Sequence, residues 1–537
     1  MLAGLVLAVL LLRDPYSERT LIPNFEPFPD AFHYVVPPRC FLQGQGWTLC
    51  REGVKGVLPA VPPVYGALLL PVFMVSSDPR SFYFVNVALA FISVSLLYLL
   101  LKKITTNQVA QLVVLTLFVT TYHVYWVPTL AMAENLLLPI LLGIFYLFSF
   151  KKLQLMHVAG ISILAGLLYG SKFAGLPMMG GVCFILGLRI LIEHFSNAQS
   201  LAYTFRKMSV AILPVLLLFL TFGGWSVVSS TLNIESLFNT SDVQSAQSDS
   251  TWFGSEYFTK NIVIYLQATR GESTRFLWDY TPLISTWMAV LGWLGLGYGL
   301  TKKRWVWLSS TALITTVLQL GVLATFYSAD TRYIYNLLPT ILVGIAFFFV
   351  WLKDVLESFS VTNTQLVISI ACLLILAGYS FNNFTRLKSQ VSINLKYAET
   401  PWWYISVNQM NTFIEDYNKQ KPESEKQTIV ISPMVPYFVD LYSTADFRLL
   451  PLDQDQDFRG EKIEVWGEDD YSDLIQLYEQ KILDGHPVFV ARYGIGNEKP
   501  KQNSFAAIDE YFSITKVQAG CFDQCDIFKL QLKEGIQ

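Results

Sequence analysis

Ten long apolar runs between residues 81 and 381 constrain what this chain can fold into more than any other feature. They lie near 81–101, 108–126, 132–150, 155–170, 174–192, 209–228, 281–300, 305–326, 333–352 and 363–381, and a shorter one occupies 1–12. A bilayer offers no water to backbone polar groups, so runs of this length read as spanning helices. Charged residues are 15% of the chain and mean hydropathy is +0.42, whereas a soluble domain carries roughly 25% charged residues. The fold class is therefore a polytopic α-helical membrane protein, with about eleven transmembrane helices if the first run is counted. That first run falls short of the about 20 residues a span needs. It has no basic leader and no small-residue cleavage site, so a longer natural N-terminus is expected.

Sidedness follows from the basic residues of the short loops. Lys102 and Lys103, Lys151 and Lys152, Arg206 and Lys207, Lys302 to Arg304, and Lys353 fall at every second loop, which marks the cytoplasmic side. The outer side then holds a first loop at 13–80, a second large loop at 229–280, and everything after about 382. The cysteines agree. Cys183 and Cys372 lie inside apolar runs, while Cys40 and Cys50 share the first outer loop and Cys521 and Cys525 share the outer tail. Two local pairs outside suit disulfides in an oxidising compartment. A zinc site is the weaker reading, because "CFDQC" has no second ligand pair beside it. A net charge of −3, with no basic tail or stripe, gives no support for nucleic-acid binding.

Residues 1–381 thus form a transmembrane unit and 382–537 a different one. "QTIVISP" and "HPVFVARY" read as buried strands and "DIFKLQL" as an alternating strand. "SVNQMNTFIEDYNKQ" and "SDLIQLYEQKILDG" read as amphipathic helices, the second with Ser472 as its N-cap and Gly485 past its end. Alternation of helix and strand implies a small extracytoplasmic α/β domain. It carries no glycine-rich phosphate loop.

The residues that bear chemistry gather on the outer side. In "NFEPFPDAFHYV", Pro29 suits the first position of a short helix, with Asp30 in its first turn. The helix dipole favours an ionised carboxylate there, as a general base or a metal ligand must be. The plainer reading of Asp30 is a helix N-terminal charge alone. Glu26 sits before Pro27 and is a second carboxylate; His33 is one turn from Asp30 and reads mainly as a polar interface residue. Glu134 opens a span, where ionisable groups are costly and face protein or a cavity. Arg332, in "YSADTRYIY", lies at an outer helix end, where it either forks onto phosphate oxygens or snorkels to the interface. Lys172 sits in the tight outer turn "YGSKFAG", as a phosphate partner or a solvated turn charge. Tyr122, His123 and Trp126 read as an interfacial aromatic belt. The loop 229–280 reads as a lid or as packing on the bundle. Asn239 and Asn383 match glycosylation sequons.

Asp30 and Tyr34, then "FLQGQG" with Gly44 and Gly46, then Pro62, Pro63 and Tyr65, resemble the GT-C superfamily of membrane glycosyltransferases. The closer resemblance is to the branch with protein O-mannosyltransferases and lipid A aminoarabinose transferases. "AMAENLLLPILLG" and "DTRYIYNLLPTIL" look like two further pieces of that branch. The resemblance implies a GT-C-type fold and a sugar donor on a polyprenyl phosphate at the outer face of the plasma (inner) membrane. It implies a hexosyl- or pentosyltransferase that inverts at the anomeric carbon. The acceptor is a hydroxyl of a glycan, lipid or protein. Asp30 is then the base, Arg332 and Lys172 meet the donor phosphate, and Glu26, His33, Tyr34, Glu134 and Tyr333 line the substrate site. Glu26, Asp30 and Glu134 are the expected ligands of a divalent cation, Mg or Mn, should one be used. The rival function is a transporter or flippase of lipid-linked glycans, which should show repeated halves with broken helices. No such repeat is visible.

Overall fold

The structure, a computed structural model, describes residues 2–12, 14–16, 30–48, 59, 61–197, 200–224, 253–277, 279–361, 363–395, 402–422, 425–432, 447–452, 471–491, 499–518 and 526–533. Among these, five helical stretches are long and apolar enough to cross a membrane: Pro79–Ile104, Phe173–Ser196, Leu201–Phe222, Val306–Ala324 and Leu337–Ser358. A sixth forms if the bent pair Gln108–Thr120 and Tyr122–Thr129 is one span. Four apolar helices are shorter, including Glu134–Phe148 and Leu155–Ser171. Several apolar runs therefore fold into helices shorter than the run itself. The run at 108–126 breaks at Thr121, whose backbone is extended (φ −66°, ψ 128°) and whose hydroxyl donates back to the Leu117 carbonyl at 2.7 Å. The chain turns by 59° there. The run at 132–150 becomes helical only from Glu134.

We number the helices that position the site in chain order: α1 Leu2–Leu10, α2 Asp30–Leu42, α3 Val64–Phe73, α4 Phe82–Ile104, α5 Gln108–Thr120, α6 Tyr122–Trp126, α7 Glu134–Phe148 and α8 Leu155–Ser171. The short N-terminal run is helix α1. It packs on α4 and α5, and the Tyr83 hydroxyl donates to the Leu11 carbonyl at 2.7 Å. Further along, Thr286–Thr301 and Leu337–Ser358 lie against each other through glycines. A Cβ on Gly295 would stand 1.8 Å from the Gly344 carbonyl oxygen, so only glycine permits this approach. Small residues at such a crossing let backbones meet where lipid gives no hydrophobic drive between helices.

Helix α2 departs from expectation. It continues through Pro37 and Pro38 to Leu42 rather than stopping before them. A proline has no N–H to give the carbonyl four residues back, so Pro38 releases the Tyr34 carbonyl. That carbonyl faces Gly66 of α3, where a Cβ would come within 3.0 Å of it. Cys40, buried near the end of α2, is disulfide-bonded. Its expected partner Cys50 lies outside the described residues, as do Cys521 and Cys525. Cys183 and Cys372 are free thiols.

The C-terminal part contains a five-stranded sheet of Ile429–Ser432 (β1), Arg448–Pro451 (β2), Val488–Ala491 (β3), Phe512–Gln518 (β4) and Ile527–Leu532 (β5). The order is β2-β1-β3-β5-β4, with β2, β1 and β3 parallel and β5 antiparallel to both neighbours. Alternate residues of β1 and β3 enter two cores. Ile429, Ile431, Val488 and Val490 pack with Tyr478 and Ile508 of the helices Ser472–Leu483 and Lys499–Tyr511. Phe489 faces the other way, onto Phe413 and Tyr417 of the helix Trp402–Gln420, at 5.3 and 4.9 Å between ring centres. Helices on both faces explain why β1 and β3 are continuous apolar runs. The strands β2 and β4 and the helix Lys499–Tyr511 carry weaker patterns and were not expected. Ser472 is the first residue of its helix rather than the cap; Tyr471 is the flanking residue. Gly485 has φ +86°, as a helix-terminating glycine should.

Candidate functional site

The site is built from three segments that the chain separates by up to about three hundred residues. The first is α2. Asp30 opens this helix, and its side chain, like all of Glu26, lies outside the described residues. One turn on, Tyr34 is buried and meets the Tyr65 ring edge-on at 5.2 Å. The Tyr65 hydroxyl donates to Asn86 Oδ1 at 2.7 Å. Asn86 Nδ2 in turn donates to the carbonyls of Pro128 and Leu130, at 3.0 and 2.8 Å, just before α7. A fully buried asparagine inside an apolar helix is thus spent on fixing the entry to α7. His33 is buried as well, edge-on to Phe32.

The second segment is the start of α7 with the end of α8. Glu134 is the first residue of α7, where the helix dipole favours its charge. Its side chain is 1% exposed. Lys172, in extended backbone directly after α8, places its Nζ 2.5 Å from Glu134 Oε1. Glu134 Oε2 is buried with no partner among the described residues. Lys172 is therefore a buried ion-pair member and not a solvated turn charge. Its ammonium also lies 5.1 Å from the centre of the Tyr333 ring.

The third segment is the turn Asp330–Tyr335. Asp330 Oδ1 accepts from the Arg332 N–H at 2.8 Å and so caps a short 3-10 turn, Thr331–Ile334. The guanidinium of Arg332 stacks 4.7 Å from the Tyr333 ring centre and donates through Nη2 to the Tyr333 hydroxyl at 2.9 Å. Gln319, the one amide side chain on the helix Val306–Ala324, donates through Nε2 to the Tyr333 carbonyl. Arg332, Tyr333, Lys172 and Glu134 thus form one continuous patch. Cations outnumber carboxylates in it.

A piece of the second outer loop closes on this turn. Thr331 donates to the Arg275 carbonyl through both N–H and hydroxyl, each at 2.7 Å. Asp330 Oδ2 accepts the Leu277 N–H at 2.7 Å. Phe276 and Asp279 exchange two backbone hydrogen bonds, of 2.7 and 2.9 Å. The Phe276 ring lies 4.2 Å from the centre of the His123 ring and 5.7 Å from that of Trp126. His123 is fully buried. His123 is therefore an internal residue with the loop packed onto it, which corrects the belt expectation for His123, while Tyr122 and Trp126 are partly exposed. Burial holds the Asp330 carboxyl above the ordinary carboxylate range, although the Arg332 N–H and charge, the Leu277 N–H and Arg275 all pull the other way.

Four of the expected site residues, Glu134, Lys172, Arg332 and Tyr333, are brought together. Tyr34 connects through Tyr65 and Asn86 to the carbonyls of Pro128 and Leu130, just before Glu134. Asn86, Gln319 and Asp330 were not singled out from sequence. Asn86 and Gln319 were visible as the one amide side chain of each of their apolar helices. Of the expected cation ligands, Glu26, Asp30 and Glu134, only the Glu134 side chain is described. Its Oε1 is held by an ammonium, which competes with a cation for that oxygen. No group of three or more His, Cys, Asp or Glu that could hold a metal occurs among the described residues.

No protein-family model and no curated protein matches this chain. Solved structures match over nearly its whole length. ArnT from Cupriavidus metallidurans, bound to undecaprenyl phosphate and in the apo state, matches at a TM-score of 0.59 and 12% identity, covering 98% of this chain and 96% of that one. The oligosaccharyltransferase from Archaeoglobus fulgidus, tethered with an acceptor peptide containing the NVT sequon, matches at a TM-score of 0.53 and 12% identity, covering 99% and 73%. ArnT is a lipid A aminoarabinose transferase, and both proteins belong to the GT-C superfamily. The chain has a GT-C fold. Identity this low shows a shared architecture and no more. Within a GT-C fold, the cationic patch and α2 both stem from segments read as outer loops or outer helix ends. Chemically, the patch offers two cations and a phenol to an anion.

Proposed function

We propose that this protein transfers a sugar from a polyprenyl-phosphate-linked donor to an acceptor hydroxyl. The reaction takes place at the extracytoplasmic face of the plasma (inner) membrane. The observation that carries the proposal is the Arg332–Tyr333–Lys172–Glu134 patch within a GT-C fold. The acceptor oxygen attacks the anomeric carbon as the bond from that carbon to the phosphate oxygen breaks. The acceptor proton passes to Asp30, and the phosphate keeps the bonding electron pair. Asp30 therefore acts as general base, and a single displacement inverts the anomeric centre. The leaving phosphate gains charge, which Arg332 and Lys172 meet with forked and point-charge contacts respectively. Glu134 holds Lys172 in place while the site is empty, and an arriving phosphate shares that ammonium. Tyr34, His33 and Tyr333 line the sugar side. A hexosyl or pentosyl group fits this scheme equally. Should Mg or Mn take part, Asp30, Glu26 and the second oxygen of Glu134 would hold it, and its chemistry would be charge neutralisation at the phosphate. The disulfide at Cys40 and the outer α/β domain suit the same extracytoplasmic placement.

The reading is tested by undecaprenyl phosphate binding to the purified protein in nanodiscs. Arg332→Ala is expected to raise the Kd about tenfold, the typical scale for a charge-assisted contact. An unchanged Kd would remove Arg332 from the phosphate site.

A further inference from the structure

We propose that Asp330 is a positioning residue, which holds Arg332 in place and fastens the second outer loop to the same turn. The proposal rests on the reading of Arg332 as a phosphate ligand. The two carboxylate oxygens are divided between two segments. Oδ1 accepts the Arg332 N–H at 2.8 Å, and Oδ2 accepts the Leu277 N–H at 2.7 Å. Leu277 has φ +55°, a left-handed conformation that a leucine avoids unless its surroundings fix it. The acceptor on Asp330 supplies that fixing. Arg275, two residues earlier, closes the arrangement: its Nε donates to the Leu277 carbonyl at 2.9 Å and lies 3.9 Å from Asp330 Oδ2. Its carbonyl takes both Thr331 donors.

The loop and the arginine turn therefore form one unit, hinged on a carboxylate that touches no reacting atom. Asp330 itself is 6% exposed, and both of its oxygens accept from protein N–H groups. Phe276, held between Arg275 and Leu277, is wholly buried against His123 and anchors the unit in the bundle. The backbone from which the guanidinium projects is thus set by residues more than fifty positions away. Any effect of Asp330 on phosphate binding then runs through Arg332, and this sets it apart from a general contribution to folding.

The experiment is a double-mutant cycle on undecaprenyl phosphate binding in nanodiscs. Asp330→Ala is expected to raise the Kd about fivefold in the natural background and less than about twofold in the Arg332→Ala background, because residues in one network couple. Asp330→Asn keeps one acceptor and is expected to fall between the natural protein and Asp330→Ala. If Asp330→Ala does not fold, Asp330→Asn in both backgrounds decides the same question. Equal losses in both backgrounds overturn the positioning role and leave the phosphate reading standing. An Arg332→Ala protein that binds as well as the natural one overturns both.

Discussion

Asparagine in place of Asp30 is expected to lower sugar transfer about 10³-fold, within the range that a general base contributes. Undecaprenyl phosphate binding should stay within about twofold, because the change removes a proton acceptor and leaves the cationic patch alone. The substitution keeps the shape of the residue and removes a helix-dipole interaction worth about 0.3–1 kcal/mol. Thermal stability should therefore change little. This combination separates a base from a helix-terminal charge. The plain structural reading of Asp30 predicts the reverse pattern: a small loss of stability with transfer retained. Measuring transfer, lipid binding and unfolding on one preparation tells the two apart.

The second large effect is expected at Glu134. Alanine there leaves the Lys172 ammonium under protein without its carboxylate. Breaking a buried pair by removing one partner typically costs about 3–5 kcal/mol. The side chains are 1% and 12% exposed, so the lower end of that range applies. Replacing the pair together, with Glu134→Leu and Lys172→Met, should restore most of the stability, because neither charge is then stranded. Phosphate binding should not return with it, since one of the two cations is gone. Thermal unfolding and undecaprenyl phosphate binding of the two variants check both halves. A stable Glu134→Ala protein would show that Lys172 reaches solvent without its partner.

Much of this arrangement was legible in the sequence, for physical reasons that differ between residues. Glu134, Lys172 and Arg332 stood out because charge is expensive beside a membrane and each lies at the edge of an apolar run. Tyr34 and Tyr65 entered through the motif in the first outer loop, and they meet across α2 and α3. Asp330 was hidden. Next to an arginine in "ADTRY" it reads as a loop charge, and only the fold brings Leu277 to its second oxygen. The passage of α2 through Pro37 and Pro38 was hidden for a related reason. Local rules end a helix before consecutive prolines, but α3 offers Gly66 to the carbonyl that Pro38 releases. Where an apolar run bends was hidden as well. A run such as 108–126 is apolar throughout yet breaks at Thr121, because the chain must turn there to bring His123 under Phe276.

The central claim is that a sugar is cleaved from a lipid phosphate. Its most direct test follows that bond in proteoliposomes. The natural protein and Arg332→Ala are each reconstituted with polyprenyl-phosphate sugars extracted from cell membranes and with an acceptor fraction, and free polyprenyl phosphate is measured by mass spectrometry over time. The account predicts that the natural protein releases polyprenyl phosphate as the acceptor gains mass, and that Arg332→Ala releases at most about a tenth as much. Intact lipid-linked sugar that crosses the bilayer without release of polyprenyl phosphate would contradict it and make the protein a transporter.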